Sequence, residues 1–121
     1  MLFEDHLYFA HEQSGRVYCL NATTGETRYA EILPERNGDE PMFYASPLIA
    51  GGRLYHLSRE NRTYVLPAEP RFEVLARNVI VTDDTIWNAS PAVVGNRLLL
   101  RSGAALYCVG EPNETDAEDA R

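Results

Sequence analysis

Residues 45–66 read ASPLIAGGRLYHLSRENRTYVL, and residues 89–109 read ASPAVVGNRLLLRSGAALYCV. The second segment starts 89 − 45 = 44 residues after the first. Ala45, Ser46 and Pro47 match Ala89, Ser90 and Pro91. Gly51, Arg53 and Leu54 match Gly95, Arg97 and Leu98. Tyr64 matches Tyr107 at an offset of 107 − 64 = 43, one residue having gone from the intervening turn. A partial third copy, HLYFAHEQSGRVYCLN, covers residues 6–21, with Leu7 and Tyr8 opposite Leu54 and Tyr55 and Tyr18 opposite Tyr64. A period of roughly 40–50 residues marks a repeat architecture, and four-stranded propeller blades have about this length.

The local pattern within each copy is that of strands. HLYFA, RVYCL, RLYHL, TYVL, EVLA, NVIV, RLLL and ALYCV are short runs rich in Val, Leu, Tyr and Ile, bounded by turn residues. Such runs read as β-strands. Several, RLLL among them, are apolar on both faces, as strands covered on both sides are. Glycines in GGR and GNR suit tight hairpins, and NATTGET is a turn before the strand TRYAEIL. PAEPRFEV, with Pro67 and Pro70, reads as a loop or edge segment.

With these motifs in place, the chain resembles the PQQ-like β-propeller repeat family over about residues 6–110. SPLIAGGRLYHLS and SPAVVGNRLLLRS match the first half of that family's blade. GRVYCLNATTGETRY matches the second half, with Gly15, Tyr18, Leu20, Ala22, Thr24, Gly25 and Glu26 in place. Tyr29 stands where the family usually has its docking tryptophan. The second copy departs after Leu66, and its FEVLA resembles the closing blades of exported bacterial members. The resemblance implies an all-β fold of four-stranded antiparallel blades. Four blades of 44 residues would need 4 × 44 = 176 residues against the 121 here. The expectation is therefore a partial β-propeller of about two and a half blades over residues 1–110, starting in mid-blade and belonging to a larger propeller. Blade boundaries are expected near 44 and 88. Residues 111–121, EPNETDAEDAR, carry five acidic and no large apolar residues and read as a disordered acidic tail.

The family name invites a search for quinone chemistry. Resemblance implies that quinoprotein dehydrogenases hold their cofactor with a vicinal cysteine pair, a stacking tryptophan, a Ca²⁺ ion and a catalytic aspartate. No two cysteines are adjacent here. Trp87 precedes its repeat as Phe43 and Tyr44 precede theirs, and reads as a packing aromatic between blades. Asp83 and Asp84 form an acidic pair whose plainer reading is two solvated turn residues, since Ca²⁺ takes six to eight oxygens. His6 and His11 are five residues apart and point to opposite faces of a regular strand, so they do not share a metal. His56, within RLYHL, reads as an inter-blade packing residue. Cys19 and Cys108 each follow a tyrosine at the same place in two copies two blades apart, beyond disulfide reach. Both read as buried free thiols. The N-x-S/T triplets at Asn21, Asn61, Asn88 and Asn113 read as turn residues rather than glycan acceptors. No catalytic, cofactor-binding or metal-binding residue is assigned, and no cofactor is expected.

A net charge of −7, with 11 basic and 18 acidic residues, argues against nucleic acid and anionic membrane surfaces. No run reaches the ~18 apolar residues of a membrane span. The acidic start MLFEDHLYFAHE lacks the basic region of a secretory signal. The chain itself does not state its compartment; by resemblance, a full-length parent would be periplasmic or exported. The expected function is a non-catalytic propeller segment that serves as a binding scaffold, for the family includes a scaffold lipoprotein. The alternative is the C-terminal part of a quinone-dependent dehydrogenase with its active site in other blades. An incomplete propeller leaves two blade faces open, and runs such as RLLL and LYFA would lie on them. Leaving ~500 Å² of apolar surface uncovered forgoes about 12 kcal/mol, as much as a typical domain's whole stability. The expected partners are the remaining blades or a further copy of the chain.

Overall fold

A computed structural model describes residues 1–33 and 41–110. The acidic segment 111–121, and Asn113 within it, lie outside the described residues. The fold is all-β, with three antiparallel sheets taken up in chain order. The first contains β1 (Leu2–Phe3), β2 (His6–Ala10), β3 (Arg16–Asn21) and β4 (Thr27–Ile32). The second contains β5 (Leu48–Ala50), β6 (Arg53–Leu57), β7 (Arg62–Pro67) and β8 (Ala76–Val79). The third contains β9 (Ala92–Val94), β10 (Arg97–Arg101) and β11 (Leu106–Val109).

Register follows the repeat. Tyr18 pairs with Phe9, Tyr64 with His56 and Tyr107 with Leu100, each the third residue beyond the matched hairpin start. The two glycine hairpins run through Gly51 and Gly52 and through Gly95, all with positive φ, where a side chain would be strained. Leu2 and Phe3 pair with Leu7 and His6, so the first sheet has four strands, not the half-blade expected. Glu4 and Asp5, both at positive φ, turn the chain back tightly enough for two residues to take the place of β5 and β9. The incomplete sheet is instead the third, with three strands among the described residues.

One further expectation shifts. EVLA was expected as a strand over residues 73–76, but β8 begins at Ala76. Phe72 and Val74 leave the second sheet and pack against the cluster it shares with the first, with Phe72 edge-on to Tyr29 of the first sheet at 5.6 Å. The loop thus covers a neighbour's face rather than extending its own sheet.

The sheets stack through two buried clusters. Tyr8, Val17, Cys19 and Tyr29 of the first meet Leu54, Tyr64 and Leu66 of the second, joined by Leu33 and Phe43 from the connection. Leu57 of the second meets Leu100 of the third around Trp87, with Leu98 and Tyr107 packed alongside. Because side chains alternate along a strand, the second sheet presents one face to the first blade and the other to the third. The result is a partial β-propeller of three blades.

Candidate interaction site

Each junction is assembled from the same parts. The connection before each inner strand delivers an aromatic residue, Phe43 or Trp87, into the gap between blades. Its position is fixed by backbone bonds to the turns of both flanking blades. Phe43 N donates to Glu12 O and Arg59 N to Met42 O. In the next junction Trp87 N donates to Arg59 O and Gly103 N to Ile86 O. Phe43 then meets Tyr64 edge-on at 6.1 Å, and Trp87 stacks on Tyr107 at 5.4 Å. The packing role read for Trp87 is where the structure places it, fully buried. Tyr18, the equivalent of Tyr64 and Tyr107, stacks instead on Phe9 of its own sheet at 4.9 Å.

The turn between the two middle strands is capped alike in each blade. Ser102 Oγ accepts from the N–H groups of Ala104 and Ala105, and Ser58 Oγ from Arg62 N. His11 holds the same place in the first blade, with Nδ1 accepting from Gln13 N and Ser14 N. His11 lies just past β2, and its ring nitrogen serves the turn. Among the described residues no group of three or more His, Cys, Asp or Glu side chains is placed to hold a metal.

Asp83 is not the solvated turn residue expected. It is buried, while Asp84 beside it is exposed. Its Oδ1 accepts from Thr85 N at 2.9 Å and from Thr85 Oγ1, and its Oδ2 from Ser102 Oγ at 2.6 Å and Tyr107 Oη at 2.7 Å. Hydrogen bonds from Ser102, Thr85 and Tyr107 hold its pKa well below the usual carboxylate range. The same bond raises the Tyr107 pKa. With both oxygens occupied, Asp83 fastens the third blade rather than offering a free base. Its partners lie 19 and 24 residues away, so the pair DD alone could not reveal them. A signal was present in the repeat, where Asp39 precedes Phe43 by four residues as Asp83 precedes Trp87.

Asn61 acts beside it. Its Nδ2 donates to Ile80 O and to Asp83 O at 2.8 Å, and its Oδ1 accepts from Ile80 N at 3.1 Å. Asn21 takes a turn role, its Oδ1 accepting from Thr23 N and Thr24 N, while Asn88 Oδ1 accepts from Arg59 Nε at 2.9 Å. The other displaced acidities lie between blades. Burial pushes the His56 pKa down to about 3 and raises those of Tyr8, Tyr29 and Cys19. His56 sits where it was read, edge-on to Phe43 at 5.8 Å in the first junction.

What is left accessible is the outer side of the first and third blades. Alternation from the buried Tyr8 and Cys19 turns Leu7, Phe9, Tyr18 and Leu20 to the side facing away from the second blade. Leu2 and Ile32 share that face by register and are exposed. In the third blade Leu98, Leu100 and Tyr107 face inward, which turns Leu99, Leu106 and Cys108 outward. Leu106 is 68% exposed. Cys108 is also exposed, against the expectation that both thiols are buried. Cys19 and Cys108 do hold one register position, opposite Tyr8 and Leu99. Cys19 is covered because a blade follows it, and no described blade follows Cys108.

No family model matches the chain, and no curated protein matches it either. Among solved structures it is similar to the crystal structure of BamB from Moraxella catarrhalis, with a TM-score of 0.63 and 16% sequence identity. The match covers 84% of this chain and 27% of that one. The chain therefore spans about a quarter of the length of the propeller it resembles, and the likeness is one of fold.

Proposed function

We propose that this chain is a non-catalytic propeller segment that works as a binding scaffold, taking a polypeptide partner on its two open blade faces. The observation that carries this reading is the outward apolar set on each terminal blade, Leu7, Phe9 and Tyr18 on one and Leu99 and Leu106 on the other. Contiguous exposed apolar surface of this kind marks contact sites on soluble proteins. The PQQ-like character of the repeat supports it, since members of that family include a scaffold. The non-catalytic part is supported by where the perturbed groups sit. His56, Tyr8 and Tyr29 are enclosed between blades and Asp83 is saturated with hydrogen bonds. A catalytic acid or base needs access to a substrate proton.

Two measurements test it. The chain should take up an environment-sensitive apolar dye such as bis-ANS, and Leu7→Glu combined with Leu106→Glu should abolish that uptake while circular dichroism stays unchanged. Equilibrium dialysis with pyrroloquinoline quinone and Ca²⁺ should show no retained quinone. Saturable quinone binding would overturn the non-catalytic reading, and dye uptake indifferent to the two substitutions would overturn the open-face reading.

A further inference from the structure

We propose that the gap between the second and third blades binds a small organic carboxylate, with its acid group on Arg53 and its apolar body along Val65, Leu75 and Leu98. The site lies inside a formed junction and needs neither terminal blade face, so it stands apart from the open-face reading above. Two crevices meet there. One, of about 390 Å³, is lined by Arg53, Tyr55, Val65, Leu75, Asn78 and Leu98. The other, of about 170 Å³, opens between the two glycine hairpins. It shares Arg53, Tyr55 and Leu98 and adds Asn96. The larger crevice alone is in the size range of small-molecule sites. Register aims the side chains into it. Leu54 and His56 face the first blade, so alternation turns Arg53 and Tyr55 toward the third. Val65 pairs with Tyr55 and with Ala76, which puts Asn78 on the same face two residues further along β8.

Charge and hydrogen bonding name the ligand. Neither crevice has an acidic lining residue, in a chain with 18 of them. Among the described residues, the side chains of Arg53, Tyr55, Asn78 and Asn96 make no hydrogen bond or ion pair. Unused donors thus stand on one face, with a guanidinium fork that matches a carboxylate. The crevice at the turn from Arg59 to Arg62 is built differently. Its polar groups are already joined, Asp83 to Ser102 and Tyr107, Asn61 to Ile80, and Arg59 to Asn88. The equivalent place in the first junction is filled. His6 and Tyr8 stand there in the positions of Arg53 and Tyr55, and Phe72 and Val74 pack against the cluster that buries Tyr8. In the second junction Val65, Leu75 and Leu98 leave an apolar wall beside the cation. Such a wall favours an acid with a hydrocarbon body over a hydrated inorganic anion.

The full chain, labelled with nitrogen-15, is the material for the test, and sodium octanoate is the probe. Octanamide and octylamine carry a neutral and a cationic head on the same length of hydrocarbon. Octanoate should give saturating amide shifts at Gly51, Arg53, Gly95 and Asn96 and in the Asn78 side chain, half-complete on the order of a millimolar. Octanamide should bind about tenfold more weakly, and octylamine should not saturate. Arg53→Gln, a change at an exposed position, should weaken octanoate about tenfold and leave octanamide as it was. Leu75→Ser should weaken both. Equal affinity for octanoate and octanamide, or octanoate binding indifferent to Arg53→Gln, would overturn the carboxylate assignment. Shifts that never saturate, or that centre on Leu7 or Leu106, would overturn the site. Combined Leu7→Glu and Leu106→Glu separates this site from the open faces, since that variant should lose apolar dye and keep octanoate. If octanoate goes with the dye, the site falls and the open-face reading stands; if octanoate stays and dye uptake is unchanged, the open-face reading falls and the site stands.

Discussion

Among the described residues, nine side chains form one buried cluster between the first and second blades, whereas between the second and third only Leu57, Trp87 and Leu100 are buried in common. The two junctions share a repeat, a register and a backbone docking scheme. They differ in how much each side can offer. The first blade contributes Tyr8, Cys19 and Tyr29 from three adjacent strands, and Phe72 reaches back across to Tyr29. The third blade has no fourth described strand, and a crevice of about 390 Å³ lined by Tyr55, Val65, Leu75 and Leu98 remains beside it. A junction with less apolar area leans more heavily on one large aromatic and on polar ties. Trp87, Asp83 and Asn61 are those ties.

The largest effects should come from truncating one side chain in each junction. Trp87→Ala should cost about 3–5 kcal/mol and Leu54→Ala about 2–5 kcal/mol. The pattern matters more than the size. Native-state hydrogen exchange should show Trp87→Ala loosening β9–β11 while β1–β8 keep their protection. Leu54→Ala should loosen β1–β8 together, because its cluster spans both complete blades. Equal loosening of all three sheets by Trp87→Ala would break the comparison and make the segment one cooperative unit.

Acid should separate the junctions as well. His56 belongs to the first, and its pKa in the fold is about 3 against an ordinary 6.5. Between those values the unfolded chain binds the proton that the folded chain refuses. Stability is therefore complete above 6.5 and declines as pH falls towards 3. At about 1.4 kcal/mol per unit, lowering pH from 6.5 to 4.5 should remove about 2–3 kcal/mol. His56→Phe should flatten that slope in urea titrations, whereas a slope unchanged by the substitution would assign it elsewhere.

A smaller pair of changes compares the left-handed turn positions Gly15 and Asn61, which share one place in the repeat. Added to Gly15, a Cβ would stand 2.5 Å from Pro41 Cδ. Gly15→Ala should therefore cost about 1–3 kcal/mol through strain and crowding. Asn61→Gly keeps the backbone relaxed and loses only the ties to Ile80 and Asp83, about 1–2 kcal/mol. Thermal melts of the two variants should rank in that order, and the reverse order would mean that the polar ties outweigh the backbone.

The fold was legible because the repeat fixes register. Once Tyr64 and Tyr107 are matched, the pairing with His56 and Leu100 follows, and Trp87 falls between blades. What position does not supply is the neighbour. Cys19 and Cys108 occupy one place and were both read as buried, yet burial depends on whether a further blade stands against that face. The apolar runs LYFA and RLLL pointed to open faces, and Cys108 lies on one of them. Asp83 escaped for a related reason. Its function depends on hydroxyls brought to it by the fold from Ser102 and Tyr107, and composition around DD carries no trace of them. FEVLA has the composition of a strand, but the pull of Tyr29 on Phe72 across the junction decides its path.

The smallest effect expected is that of Asp83→Asn, and it tests whether the second junction is held by charge or by hydrogen bonding. The carboxylate accepts four bonds, two on each oxygen. The amide keeps Oδ1 for the N–H and hydroxyl of Thr85. At the other atom, Tyr107 can turn its hydroxyl and accept from the new NH₂ group, whereas Ser102, whose Oγ already accepts from Ala104 N and Ala105 N, can only turn its hydroxyl to Ala105 O. The contacts to Thr85 and Tyr107 are kept, and what is lost is the bond from Ser102 together with the extra strength of bonds to an ionised acceptor. The folded pKa of Asp83 lies below its ordinary 3.8. Its contribution is therefore present in full above that value and drains away as pH falls through 3.8 and beyond. Asp83→Asn should accordingly lower the melting temperature at pH 7, speed exchange in β9–β11 alone, and converge on the unsubstituted protein as pH falls below 3.8. His56 acts between 6.5 and 3 on the other junction, so the double variant with His56→Phe should show both slopes removed independently. A deficit for Asp83→Asn that stays constant to the lowest pH would mean that the Tyr107 hydroxyl does not turn, and that the acceptor geometry, not the charge, fastens the third blade.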